Sequence, residues 1–292
     1  MNKSLFGKIS EFFRAQPPFW ACEFTSKQIV VVGVDGKRTR IHGQAAVDLP
    51  PGAVAGSLTE TNIRDPQAAR FAVQEALNRA GFKGFEIGVV IPDAAARISF
   101  LTAENLPADP QERRTFIRWK LKKTVPFEVD TAQVAFRALG PSDLLVALSP
   151  RSVVEEYENM MEGLELHAGF VVPSTLAALN LFAPPGEDAL FLKIAPDSVS
   201  TAVFQSRRIQ FYRRVSEASL YDAVYPTILY YQDKLGGKVI ERMTVCSSDP
   251  TARTAIAELQ DGLNLRAQGL EPGNIDDVFK PALGAVELSG AV

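Results

Sequence analysis

The sequence predicts an α/β protein of two similar lobes, and three observations carry that prediction. A three-strand meander, a helix and a short buried strand occur in that order near residues 19–91 and again near 189–246. Residues 87–91 form a continuous apolar run, the pattern of a strand covered on both faces, and 243–246 read as its counterpart in the second half. The middle third departs from this order, with strands and a basic helix of its own. The halves show no matching sequence identity, so the repeat is one of architecture.

Residues 1–16 read as an amphipathic helix. Leu5, Phe6, Ile9, Phe12 and Phe13 fall within an arc of about 120° at 100° per residue. Lys3, Glu11 and Arg14 lie opposite, with Lys8 near the border, and Pro17 and Pro18 end the helix. Such a segment packs on its own domain or docks on a membrane surface or a partner. Strands follow at 19–24, 28–34 and 38–47, parted by Thr25-Ser26-Lys27 and the tight-turn signal Asp35-Gly36. Asp65 caps a helix with Pro66 at its first position. Ala69, Ala72, Val73, Ala76, Leu77 and Ala80 form its apolar face, and Gly81 closes it.

In the middle third, strands are expected at 97–102, 136–139 and 144–148, and a positively charged helix at 110–124. Pro150 opens a helix whose apolar side carries Val153, Val154, Tyr157, Met160, Met161 and Leu164, the methionines serving as core filler. The final third has strands at 189–194, 200–205 and 208–215. A helix follows at about 219–235, carrying Leu220, Val224, Ile228 and Tyr231, with a kink expected at Pro226. A strand at 243–246, a helix capped by Asp249-Pro250 with Ile256, Leu259 and Leu263, and a strand at 265–268 complete the chain. The division expected is an N-terminal helix at 1–17, a first lobe at 18–185 with an insert at about 98–149, and a second lobe at 186–292.

Composition narrows function mainly by exclusion. With 292 residues, 46% hydrophobic and 22% charged, the chain is long enough for a real core. A formal net charge of −3 gives no global field for nucleic acid. No run of about 18 apolar residues is present, and the N-terminal segment lacks a secretory h-region, so the cytoplasm is the expected compartment. Cys22 and Cys246 sit in apolar runs and read as small buried hydrophobes, while His42 and His167 are the only histidines, so no metal site is expected. Glu60, Asp65 and Glu104 are scattered on loops and caps, and Glu155 and Glu156 fall on a solvated helix face. No catalytic arrangement emerges, so the expectation is a protein that holds partners and is not an enzyme. Arg114, Arg118 and Lys122, four apart, form one stripe with Trp119 at its border and Phe116, Ile117 and Leu121 turned inward. The stripe is either a solvated face or a binding rim for a peptide or anionic lipid.

The segment FIRWKLKKTVPFEVDTAQVAFRAL at 116–139, preceded by VVIPDAAARISFL at 89–101, resembles PilM-type proteins, the actin-like component of the type IV pilus assembly platform. The pattern is an arginine-tryptophan helix, a lysine pair, and a proline-phenylalanine turn into a strand: Arg118, Trp119, Lys122, Lys123, Pro126 and Phe127 here. AALNLF at 177–182, TILYYQDKLGG at 227–237 and FKPALGAVEL at 279–288 fit in order. The resemblance implies an actin-like, ribonuclease H-like duplicated fold with a small inserted subdomain and a reduced second lobe. It implies a scaffold at the cytoplasmic face of the inner membrane that grips the N-terminal tail of a bitopic PilN-like partner, with other platform proteins nearby; peripheral membrane association through residues 1–16 stays one of the options left open by that segment's pattern. The six pattern residues are then the candidate partner-binding set, with Trp119 or Phe127 as apolar anchors.

The family generally binds ATP between the lobes, and this chain departs from its pattern. Where the first phosphate hairpin has Asp-Ile-Gly and hydroxyl residues, Glu23-Phe24-Thr25-Ser26 stand, with Val30 in place of a lysine. Where the second has the magnesium-holding Asp-Ile-Gly, Lys193-Ile194-Ala195-Pro196 stand, which reverses the charge and removes one N–H donor. The adenine-side loop is Ser247-Ser248-Asp249-Pro250, and Val215-Ser216-Glu217-Ala218 runs directly into a helix without the family's Gly-Gly segment. The nucleotide positions therefore read as degenerate, a pseudo-ATPase without cofactor. The alternatives are an active ATPase that still holds Mg-ATP, or a related scaffold of a type II secretion or mannose-sensitive pilus system.

Overall fold

The computed structural model describes residues 18–216, 219–249 and 251–286. The expected helix at 1–17, Glu217, Ala218 and Pro250 lie outside them, as do residues 287 and 288 of the closing segment.

The first meander comprises β1 (Trp20–Phe24), β2 (Gln28–Val34) and β3 (Ile41–Asp48). Side chains alternate along β1: Trp20, Cys22 and Phe24 face one core and Ala21 the other. Both faces are covered, so the strand is buried throughout and apolar except at Glu23. Helix α1 (Pro66–Ala80) begins at Asp65, whose side chain accepts from the Ala68 N–H, and ends at Gly81 in the left-handed conformation. Strand β4 (Glu86–Ile91) runs parallel to β1.

The insert follows, with β5 (Arg97–Thr102), α2 (Pro110–Leu121), β6 (Gln133–Ala138) and β7 (Asp143–Ser149). Its sheet has the order β5-β7-β6, and Leu101, Ile117, Leu121, Leu144, Val146 and Leu148 form its own small core. The basic helix was expected to reach 124. It stops at Leu121, and residues 122–124 turn back, with the Thr124 N–H on the Leu121 carbonyl at 2.9 Å.

The chain then returns through α3 (Arg151–Glu162) to β8 (His167–Pro173), parallel to β4, and α4 (Ser174–Ala178). The second lobe repeats the scheme with β9 (Ala189–Ala195), β10 (Ser198–Gln205), β11 (Arg208–Val215), α5 (Leu220–Leu235), β12 (Arg242–Ser247), α6 (Ala252–Leu263) and β13 (Arg266–Gly269). Helix α5 continues through Pro226. The two large sheets share one topology, β3-β2-β1-β4-β8 and β11-β10-β9-β12-β13, which is the repeat expected from the sequence.

Helices α1 and α3 cover one face of the first sheet, and α5 and α6 cover one face of the second. The last described helix, α7 (Lys280–Val286), leaves the second lobe and lies on the other face of the first sheet. There Ala282, Leu283, Ala285 and Val286 meet Ala21, Val30, Val32 and Val90. Residues 280–286 thus belong to the first lobe's packing, within a stretch that the sequence assigned to the second. Phe182, Phe191 and Phe204 fill the joint between lobes, with ring centroids 5.0–5.3 Å apart.

Helix α7 crosses α4 at Gly284, where a Cβ atom would stand 2.1 Å from the Ala177 carbonyl oxygen. An alanine would gain up to about 1 kcal/mol in helix propensity. The backbone clash costs more, about 1–3 kcal/mol as overpacking. Gly284→Ala should therefore lower the urea midpoint; an unchanged or raised midpoint would show that the two helices separate freely.

Candidate functional site

The carboxyl ends of β4 and β12 and the two opening hairpins converge on an interlobe cleft of about 220 Å³. That is where an open parallel arrangement places ligands. The first hairpin is closed on itself. Thr25 Oγ1 donates to the Gln28 carbonyl (2.8 Å) and accepts from the N–H groups of Gln28 (2.8 Å) and Lys27 (3.2 Å). The Thr25 N–H donates to the Gln28 carbonyl at 2.9 Å. Three N–H groups that a phosphate cradle would aim outward are engaged inside the turn.

Across the cleft, Lys193 on β9 is 5% exposed, and its Nζ lies 3.7 Å from Asp93 Oδ2. Asp93 follows β4 in a short 3-10 turn and is held by the Thr175 N–H at 2.7 Å, the Thr175 hydroxyl at 2.5 Å and the Ser200 hydroxyl at 3.4 Å. Glu23, on β1, accepts from the Ser174 hydroxyl. Burial alone would lower the Lys193 pKa, but the carboxylates of Asp93 and Glu23 outweigh it and hold the ammonium above its ordinary value. Burial pushes Glu23 up to about 7 against the opposing pull of Lys193 and Ser174, helped by repulsion from Asp93. Ser200 also hydrogen-bonds the Tyr212 hydroxyl at 3.1 Å, and burial followed by the Asp93 charge raises the Tyr212 phenol.

The remaining walls are likewise self-satisfied. In the adenine-side loop, Asp249 accepts from the Thr251 N–H and hydroxyl at 2.9 and 2.6 Å, and the Ser247 N–H donates to Asp277 at 2.8 Å. Thr251 occupies the cap position of α6, two residues beyond the expected Asp249. Asp277 also pairs with the buried Lys280. Six carboxylates (Glu23, Asp48, Asp93, Asp197, Asp249 and Asp277) line the cleft against Lys27 and Lys193. Ala195 lies at the rim beside Pro196, which has no N–H. A Mg-nucleotide would meet an ammonium at the metal position, a hairpin with its donors engaged, and an acidic wall; this donor set does not fit it. Cys22 and Cys246 are buried free thiols as expected, with the Cys246 thiol pushed up to about 12 by burial. Among the described residues, no group of histidine, cysteine and acidic side chains could hold a metal ion.

A second concavity, about 600 Å³, separates the insert from the first lobe. Residues 58–61 form one wall, Pro126, Phe127, Glu128 and Thr131 the other, and the start of α3 from Pro150 to Val153, with Glu156, the floor. The loop wall is fixed by buried Asn62, which accepts from the Ser57 N–H (3.0 Å) and the Tyr157 hydroxyl (3.1 Å). Glu156 accepts from the N–H groups of Asn62 and Ile63 at 2.7 and 3.1 Å. It therefore anchors this loop and is only half exposed, which corrects its reading as a solvated residue.

Of the expected partner-binding residues, the structure brings Pro126 and Phe127 to this groove and places the others elsewhere. Arg118 donates to the Ala132 carbonyl (2.9 Å), and Lys122 pairs with Asp130 (3.0 Å), so both brace the insert's own turn. Trp119 is 67% exposed on the outer side of α2, against Phe116 and beneath the Lys120 ammonium. Lys123 is exposed in the turn after the helix. Sequence reasoning did not single out Asp93, Ser174, Thr175 or Asn62. Only Asp93 had a usable signal, an acid just past the carboxyl end of a buried strand.

Because the folded Glu23 carboxyl binds its proton more tightly than the unfolded one, the folded state carries the extra proton between about pH 4.5 and 7. Stability should fall as pH rises through that window, by a few kcal/mol, since each tenfold difference in proton affinity is worth about 1.4 kcal/mol. Glu23→Gln should flatten this part of the stability–pH curve measured by urea unfolding; an unaltered slope would remove Glu23 as its source.

No protein-family model and no curated sequence matches the chain. Solved structures do. A chain of a PilM–PilN type IV pilus biogenesis complex is similar with a TM-score of 0.78 at 16% identity, over 93% of this chain and 98% of that one. The cytoplasmic domain of EpsL, an inner-membrane component of the type II secretion system of Vibrio cholerae, is similar with a TM-score of 0.54 at 10% identity, over 87% and 86%. A Bacteroides thetaiotaomicron protein with an actin-like ATPase fold has a TM-score of 0.55 at 9% identity, over 96% and 98%. The duplicated sheets, the insert between β4 and β8 and these likenesses together make this an actin-like fold of the shape seen in the PilM–PilN complex.

Proposed function

We propose that this chain is a non-catalytic scaffold at the cytoplasmic face of an inner membrane, part of a type IV pilus platform. Its groove between insert and first lobe takes the N-terminal tail of a PilN-like bitopic partner. The observation that carries the reading is the similarity over nearly the whole chain to a structure whose partner is PilN. The groove adds local support, with the apolar Leu58, Phe127 and Val153 beside the polar Thr59, Thr61 and Glu156. An extended peptide needs that mixture of pockets and hydrogen-bonding groups. The described residues include no helix long and apolar enough to cross a membrane, so contact with the bilayer would run through a partner or through residues 1–16. The likeness to EpsL supports a second reading, the equivalent scaffold of a type II secretion system.

The pseudo-ATPase part of the reading rests on Lys193. Its ammonium stands where a magnesium ion would need carboxylate ligands, and it is already partnered. The start of α4 reaches the cleft at Ser174, but its Thr175 N–H is engaged by Asp93 at 2.7 Å and its Ser174 hydroxyl by Glu23, so it offers a phosphate no free donor there.

Two measurements test the proposal. A synthetic PilN-like tail should bind the purified protein, and Phe127→Ala should weaken it about tenfold, the usual range for an interface anchor. Since Phe127 also packs on the insert's core, Thr59→Arg, which blocks the groove from the opposite wall, should do the same without touching that core. Retained affinity in both variants would exclude the groove. Calorimetry with Mg-ATP should give no heat of binding at millimolar nucleotide; micromolar binding lost in Glu23→Gln would restore the ATPase reading.

A further inference from the structure

The outer face of α2 lines neither the cleft nor the groove. Phe116, Trp119, Lys120 and Lys123 recur at the three- and four-residue spacing that sets side chains on one side of a helix, with Lys123 in the turn that continues it. Trp119 is 67% exposed. The Lys120 ammonium lies 5.0 Å from its ring centre and 5.7 Å from that of Phe116. Among the described residues neither Lys120 nor Lys123 has an ion-pair partner, whereas Lys122 is paired with Asp130. A bare tryptophan is a frequent interface anchor, and unpaired cations beside it select an acidic partner.

Charge and continuity identify the occupant. Residues 97–149 hold eight lysines and arginines against six acids, in a chain whose formal net charge is −3, so the insert is its basic part. Lys123 stands four residues before Phe127, a wall of the groove, and four residues of chain span at most about 14 Å. A ligand leaving the groove past Pro126 therefore reaches Lys123 within about four extended residues, and Trp119, one helical turn back, within about two more. A flat anionic bilayer fits this strip worse. Glu112 is exposed two turns before Trp119, and Glu128 and Asp130 are exposed beyond the turn. A plane covering the strip would press phosphates against those carboxylates, whereas an extended segment can run between them.

We propose that the outer face of α2 takes an acidic stretch of the same partner whose tail enters the groove. Its carboxylates lie on Lys120 and Lys123, and its chain crosses the Trp119 ring. This rests on the groove reading and adds a charge requirement on the ligand.

Binding of synthetic tails to the full chain tests this. The PilN-like tail is compared with the same tail extended by about six acidic residues at one end or at the other. At low ionic strength one extended tail should bind about threefold or more tightly than the plain tail, the gain expected of two exposed charge pairs. That gain should vanish in Lys120→Glu/Lys123→Glu and at high salt, while the plain tail binds the double variant as it binds wild type. Trp20 is buried, so acrylamide quenching of fluorescence reports mainly Trp119, which the extended tail should shield and the plain tail should not. Equal affinity of plain and extended tails for wild type would overturn the inference and leave the groove standing. Failure of every tail to bind would overturn both. A gain that persists in the double variant would also overturn it. So would wild-type binding to phosphatidylglycerol vesicles, or self-association, that the double variant abolishes, the marks of a membrane and of a second copy.

Discussion

The buried ammonium of Lys193 is the constraint around which the rest of the cleft is arranged. A cation removed from water is tolerated only with opposite charge and hydrogen bonds close by, and the first lobe supplies both. Asp93 is held by Thr175 and Ser200, while Glu23 is held by Ser174, so the carboxylates are oriented before the lysine meets them. Lys193 belongs to the second sheet, and Asp93, Glu23 and Ser174 belong to the first lobe. The ion pair is thus a pin between lobes, at a place where an actin-like enzyme would admit solvent and nucleotide. Separating the lobes would break this pair and also expose the apolar joint formed by Phe182, Phe191 and Phe204.

The pin separates the two concavities in function. The groove beside the insert is walled entirely by the first lobe and the insert, with no residue from the second sheet. Its width is set by the Asn62–Glu156–Tyr157 hydrogen bonds, which are local to that lobe. A peptide held there does not require the lobes to move. In the proposed scaffold, grip on a partner is therefore a standing property, independent of any cycle in the cleft.

Much of this was legible in the sequence because the signals were local. Asp65, Pro66 and Gly81 bracket α1 by capping chemistry that needs no distant contact. The two meanders could be read from alternation along their strands. Strand β8 was missed because its sequence, HAGFVVP, contains a glycine and ends in proline, and its place comes from pairing with β4, 81 residues upstream at Glu86↔His167. The internal bonds of the basic stripe on α2 were not legible for a similar reason. Spacing shows that Arg118 and Lys122 share a face, but not that the turn at 128–132 folds back to meet them. Asp93 carried one local sign, its place just past the carboxyl end of β4, but its pairing with Lys193 and its hold by Thr175 and Ser200 come from segments distant in sequence.

The path of α7 has a consequence for the order in which the protein can be made. The second face of the first sheet is covered by residues 280–286, which leave the ribosome only after the whole second lobe. Until then Val30, Val32 and Val90 lack most of their cover, with only Ala177 and Leu181 from the first lobe on that face, although every strand of that sheet has been synthesised. A chain interrupted anywhere in the second lobe would leave this apolar face bare, a surface that chaperones and proteases recognise. The first core is therefore closed only after the second lobe has been synthesised, so fragments ending in the second lobe should be cleared early.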